Sequence, residues 1–293
     1  MNKFFLLVCL LLTCCAGPVG PVAPPAATPT SAPILKVAPL VNPASLPTAT
    51  VAPLPSPTPN PTIAPSPTPV LLMQGPGLVF CPILLYHRIA IPLQPSEYYV
   101  SPDNFRAQMQ ALKDWGYTPI PVSLLISAIK TGALLPERPV VLSFDDGDIS
   151  VYTTAFPIMR EFGFAGINYL VSNRLAADGY LHPDQIHELA QAGWEVGSHS
   201  MDHVNLLNSK NAEREIEQSR IDLEAALGLP VTTFAYPFGA MNASMRATAS
   251  RYYTAAMGLG PSNNQSRSKL FYLWRRPVDY QWDLETFHNA LLK

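Results

Sequence analysis

Beyond residue 15 the chain carries a single cysteine, Cys81; the other three, Cys9, Cys14 and Cys15, crowd its first fifteen positions. A disulfide framework is therefore excluded for the body of the protein. Charge is also sparse. Asp, Glu, Lys and Arg make up 14% of the 293 residues, the formal net charge is -2, and no run rich in Lys or Arg occurs. That balance supplies no electrostatic basis for holding nucleic acid. The apolar run after Lys3, "FFLLVCLLLTCC", is too short for a transmembrane helix and has the proportions of a secretory signal.

Proline is the residue in excess. Pro18 to Gly77 holds 18 of the 32 prolines and one charged residue, Lys36. Proline removes backbone donors, and the intervening Ser, Thr and Ala add no core, so an extended, disordered spacer is expected. In polyproline II geometry such a tract reaches on the order of 190 Å, enough for an anchored domain to search a cell wall. The preceding "LLTCCAG" resembles a bacterial lipoprotein signal, with Cys15 favoured over Cys14 as the lipidated residue and simple secretion as the alternative. The expected organisation is a signal over 1–15, a Pro/Thr/Ser-rich linker over 16–77 and one globular domain over 78–293. Export is expected, with the membrane reached only through the N-terminal lipid.

From residue 78 onward strand-like and helix-like stretches alternate. "CPILLYHRI" (81–89), "RPVVLSFDDGD" (138–148), "AGINYLVS" (165–172), "WEVGSHS" (194–200), "VTTFAYPFG" (231–239), "YYTAAMGLG" (252–260) and "YLWRRPV" (272–278) read as strands. "SPDNFRAQMQALKDWG" (101–116) reads as a helix with Ser101 as cap, Pro102 in the first turn, and Phe105, Met109, Leu112 and Trp115 on one face. Further helices are expected near 123–132, 151–162, 182–193, 211–228 and 242–251, with a short one after Trp282. This alternation predicts an α/β fold with a parallel sheet, open or closed into a barrel, whose functional residues gather where strands end.

At one such strand end Asp145 and Asp146 stand side by side, followed by Gly147. Two adjacent carboxylates with no cation nearby repel, and one should show a raised pKa. At another strand end "HSMDH" places His199 four residues before His203, a spacing that lets two imidazoles converge on one metal. Two His and one carboxylate leave open positions for catalysis. A divalent cation would also tolerate the second Asp as a free base, with Gly147 allowing the sharp turn.

Phe144-Asp145-Asp146-Gly147, His199-Ser200-x-x-His203 and "FAYPFG" (234–239) together resemble the polysaccharide deacetylase family, NodB-like or carbohydrate esterase family 4, over essentially all of 78–293. The resemblance implies a distorted (β/α) barrel of about seven strands and a divalent metal, zinc first, with cobalt, nickel or manganese as alternatives. It implies removal of N-acetyl groups from an N-acetylhexosamine polymer, or of O-acetyl groups from xylan. By position, Asp145 would be the general base and Asp146, His199 and His203 the metal ligands. A water activated by the metal would attack the acetamide carbonyl, with the oxyanion held partly by the backbone N–H of Phe238.

The chain departs from the family pattern in having Ala235 where many members carry an Arg that orients the base, and Phe238 where they carry a Tyr. "YLWRRPVD" resembles the final strand of one branch of the family, which makes Arg275, or else Arg276, the expected substitute for that Arg. The family's LxxH motif, which carries the general acid, usually lies near the C-terminus, where this chain offers only His288. Leu84-Leu85-Tyr86-His87 is an LxxH on the first strand instead. The branch acting on exported poly-N-acetylglucosamine looks permuted in this way, and His87 is the expected acid. His182 and His187 read as surface or capping groups, and Tyr98, Tyr99, Tyr180 and Trp274 as candidates for stacking on sugars. Ser143 lacks the G-x-S-x-G context of a nucleophile. Two rivals use similar residues: a non-haem Fe(II) oxygenase, which has no need of the second Asp, and a catalytically inactive wall-binding module. A metal assay with measurement of acetate release separates all three.

Overall fold

The structure is a computed structural model, and it describes residues 70–293. The signal, the lipidation site and the Pro-rich tract up to residue 69 lie outside the described residues.

Seven strands close into a barrel: β1 (Ile83–Tyr86), β2 (Pro139–Asp146), β3 (Ile167–Leu170), β4 (Glu195–Ser198), β5 (Thr233–Ala235), β6 (Ala255–Leu259) and β7 (Leu273–Pro277). Each pairs in parallel with the next, and β7 pairs with β1 to close the ring. Seven helices pack outside it: α1 (Pro102–Asp114), α2 (Val122–Thr131), α3 (Phe156–Glu161), α4 (Pro183–Gln191), α5 (Ala212–Leu227), α6 (Ala243–Tyr252) and α7 (Leu284–Leu291). The expected α/β barrel of seven strands is the fold.

Parallel strands covered on both sides need apolar residues on both faces, and β1 and β2 are buried at every position. Their alternation feeds two separate cores. Ile83, Val141, Ile167, Tyr169, Met257 and Leu273 fill the barrel interior. Leu84, Tyr86, Leu142 and Phe144 face outward against Phe105, Met109 and Leu112 of α1. That helix begins as its sequence directs, with Ser101 Oγ accepting from Asn104 N–H and proline in the first turn.

Short strands decorate the barrel. Leu71–Gln74 pairs antiparallel with Ala133–Pro136, and Leu78–Phe80 with Asn264–Ser266. The first pair lies partly within the stretch assigned to the linker, so ordered chain begins before Leu78. Neither segment announces itself in sequence, because each is brief, partly exposed and paired with a segment distant along the chain. The strand expected over 231–239 is likewise only three residues long. After Ala235 the chain enters a tight turn, Pro237–Gly239, with Phe238 at a φ of 60°.

Candidate active site

The C-terminal ends of the barrel strands surround a cavity of about 470 Å³, lined among others by His87, Asp145, Asp146, His199, His203 and Arg275. Strand alternation explains how side chains from four strands arrive there. On β2, Phe144 points outward and Asp145 therefore points inward, above Val141. Asp146 would by the same rule point away. Its backbone instead adopts a φ of 74°, followed by Gly147 at 76°, and the turn brings the second carboxylate to the same mouth. Glycine adopts this conformation freely, so the strain sits on the aspartate.

On β7, Leu273 points inward, and so does Arg275 two residues on. Arg275 is 1% exposed, stacks its guanidinium 5.2 Å from the Tyr169 ring and forks onto Asp145, Nη1 to Oδ1 at 2.6 Å and Nη2 to Oδ2 at 2.7 Å. Arg276 points elsewhere, its Nε donating to Asn263 Oδ1 at 3.1 Å and its Nη2 to the Pro261 carbonyl. Burial by itself would push the Asp145 carboxyl up, but the Arg275 guanidinium, with His199 and His87 nearby, holds it down at about 2. Asp145 is thus an ionised carboxylate buried in the barrel mouth.

His199 follows β4 directly. Its Nδ1 lies 2.8 Å from the Ala235 carbonyl, which can only accept, so Nδ1 carries the proton and Nε2 presents its lone pair to the cavity. Gly197, two residues earlier, is required by crowding: a Cβ there would sit 2.3 Å from the Tyr169 ring. His199 Nε2 lies 3.5 Å from Asp145 Oδ2 and 3.9 Å from Asp146 Oδ1, and His203 Nε2 lies 3.2 Å from Asp146 Oδ1. One ligand atom each from Asp146, His199 and His203 falls within 4.8 Å of the others. Burial, followed by the neighbouring His199, pushes His203 down to about 4, which leaves its imidazole neutral at working pH.

Asp146 Oδ1 is buried and accepts no hydrogen bond. A buried carboxylate oxygen without a donor is costly, and here it faces two imidazole nitrogens. The donor set of one carboxylate and two imidazoles suits zinc or a similar divalent ion. These residues fit a cation.

His87 emerges from the end of β1 into the same cavity, its ring 5.0 Å from that of Tyr98 in an edge-on arrangement. Burial lowers its pKa below the ordinary 6.5; Asp145 and Asp146 oppose the shift, while His199 and Arg275 add to it. Phe238 sits on the opposite rim, its ring 4.7 Å from that of His203.

The remaining candidates disperse. His288 lies on α7 against Trp115, with ring centroids 4.5 Å apart. His187 Nε2 meets the Leu227 carbonyl at 2.7 Å, and His182 precedes α4. Of the four aromatics, Tyr98 lines the cavity. Tyr99 lies under Arg88, Tyr180 under Arg174 and Trp274 under Lys269. Ser143 Oγ is buried and donates to the Leu84 carbonyl. Sequence reasoning passes over Arg88, whose Nε donates to Asp148 Oδ2 at 3.0 Å and whose Nη2 lies 3.8 Å from Asp146 Oδ2. Its one signal is a cation immediately after the strand-end His87.

Comparison with known proteins converges on one family. The polysaccharide deacetylase family profile matches residues 133–256. The Bacillus subtilis protein YxkH, named as a polysaccharide deacetylase, is 29% identical over 166 residues, which is 55% of this chain and 57% of that one. A poly-beta-1,6-N-acetyl-D-glucosamine N-deacetylase of Staphylococcus epidermidis is 26% identical over 161 residues, covering 50% of this chain and 55% of that one. The crystal structure of a polysaccharide deacetylase from Bacillus cereus superposes with a TM-score of 0.65 at 27% identity, covering 72% of this chain and 68% of that one. The chain thus spans a little over half the length of the two curated relatives.

Proposed function

We propose that the chain, whose residues 133–256 match the polysaccharide deacetylase profile, is a cation-dependent hydrolase of that family, removing acetyl groups from an exported polysaccharide of N-acetylhexosamine units. The observation that carries this reading is the pair of unlike carboxylates. Asp145 is ionised and forked by Arg275, while Asp146 offers a bare oxygen to His199 and His203.

In this reading Asp146, His199 and His203 hold the cation. When bound, it supplies a Lewis acid and a water of lowered pKa. Asp145 is placed to take a proton from the attacking water, and Arg275 keeps the carboxylate aimed and ionised. The Phe238 N–H contributes a donor to the oxygen that gains negative charge. His87 then gives a proton to the amide nitrogen as the carbon–nitrogen bond breaks, releasing acetate and a free amine. The missing Arg at Ala235 loses its weight as an argument for an inactive module, because a guanidinium from β7 already faces the base. A tethered, exported enzyme acting on wall or extracellular glycan is the setting that the N-terminal sequence suits.

The test separates coordination from proton transfer. Asp146→Ala, His199→Ala and His203→Ala should each lose bound zinc, whereas Asp145→Asn should keep zinc and lose acetate release from chito-oligosaccharides and poly-N-acetylglucosamine. Wild-type zinc content in Asp146→Ala would refute this division of labour.

A further inference from the structure

The backbone between the two histidines is held in an unfavourable shape. Ser200 and His203 have φ of 68° and 57°, a left-handed conformation that is unfavourable for a residue with a side chain. Three successive N–H groups of this loop find side-chain acceptors. His203 N–H donates to Ser200 Oγ at 3.0 Å. Met201 N–H and Asp202 N–H both donate to one carboxylate oxygen, Glu215 Oε2, at 3.0 Å each. On its other side Ser172 and Asn173 N–H donate to the Ser200 and Met201 carbonyls, and Asn173 Nδ2 donates to Asp202 Oδ1 at 2.5 Å. Glu215 stands in the first turn of α5, 6% exposed, on the face that also buries Ser219 and Leu223. A carboxylate at a core-facing helix position is expensive unless it is well paired, and its partners here are two amides of the loop that carries His203.

We infer that Glu215 is a positioning residue of the cation centre: its carboxylate fixes the backbone between His199 and His203 so that both imidazoles meet Asp146. Hydrogen bonds to an ionised acceptor are about twice as strong as neutral ones. Water can replace an acceptor at the partly exposed amides, but it cannot tie the loop to α5. The inference rests on the reading of Asp146, His199 and His203 as ligands.

The test measures zinc affinity by chelator competition on the purified protein, together with kcat and KM. Glu215→Ala should weaken zinc binding by about 10- to 100-fold, the range seen when groups supporting metal ligands are removed. Glu215→Gln, which keeps an acceptor oxygen, should retain most of the affinity. Glu213→Ala, an exposed acid of the same turn paired with Arg251, should match wild type. Saturating zinc should restore kcat in Glu215→Ala with KM unchanged. If the alanine variant does not fold, Glu215→Met, of similar length but without an acceptor, takes its place against Glu215→Gln. Wild-type affinity in Glu215→Ala or Glu215→Met, or an equal loss in Glu215→Gln, overturns the inference while leaving the ligand reading intact. Absence of zinc binding by the wild-type protein overturns the ligand reading itself.

Discussion

At the scale of single residues the site works by giving adjacent, chemically identical groups different surroundings. Asp145 and Asp146 are neighbours in sequence, yet one is forked by a guanidinium and the other faces two imidazoles. Removing the fork should show what it does. In Arg275→Ala the burial that pushes Asp145 up goes unopposed by its main counter-charge, so the base is protonated over more of the working range. We expect a loss of more than about tenfold in kcat, roughly 1.4 kcal/mol, with the acidic limb of the pH profile moved upward and activity partly regained at higher pH. A smaller loss with an unmoved acidic limb would show that Asp145 does not depend on Arg275. In the proposed mechanism His87 gives the complementary limb. A proton donor must be protonated, so activity falls as pH rises through its pKa, and burial places that pKa below the ordinary imidazole value. His87→Ala should keep its fold and zinc, lose at least about a hundredfold in rate, and lose the alkaline limb of kcat/KM. An alkaline limb that persists would move the donor elsewhere.

Between elements, the Arg275–Asp145 fork ties β7 to β2 across the intervening β1, through the barrel interior. Its contribution to stability has a definite pH dependence. Asp145 titrates at about 2 in the folded protein against an ordinary 3.8. A depressed carboxylate stabilises the fold above its unfolded pKa and ceases to do so as pH falls through its folded one. The contribution, on the order of 2 kcal/mol, should be complete above about pH 4 and gone near pH 2. Thermal unfolding of zinc-free protein should therefore show Tm falling over that window, and Asp145→Asn should flatten the fall. An identical slope in the variant would mean that other carboxylates dominate acid unfolding.

Taken whole, the molecule is a barrel whose first and last strands are neighbours, and this brings His87, just after β1, to the same cavity as Arg275 of β7 although 188 positions separate them. It also sets where the chain can be shortened. A protein beginning at Val70 should hydrolyse soluble oligomers like the full chain, because a charge-poor proline tract offers no core. One beginning at Leu78 loses the four paired residues of Leu71–Gln74 and the bond from Gly77 N–H to the Ile129 carbonyl. It leaves Ala133–Pro136 as an uncovered edge, and its Tm should drop by at least about 2 °C, as expected for about 1 kcal/mol in a domain of this size. Equal Tm values would show that the 71–74 strand is dispensable.

The alternating β/α order and the strand ends that carry "FDDG" and "HSMDH" were legible in the sequence. Local pattern encodes these, since apolar runs and caps are written in consecutive residues. It also narrowed the arginine choice to 275 or 276. Tertiary structure made the selection, because only closure of the barrel decides which of two adjacent side chains faces the interior. The left-handed turn at Asp146, the lone-pair direction of His199 set by the Ala235 carbonyl, and the grip of Glu215 on the loop before His203 were likewise decided in three dimensions. Each depends on a partner from a different element, and no spacing within one segment records a contact made across the barrel.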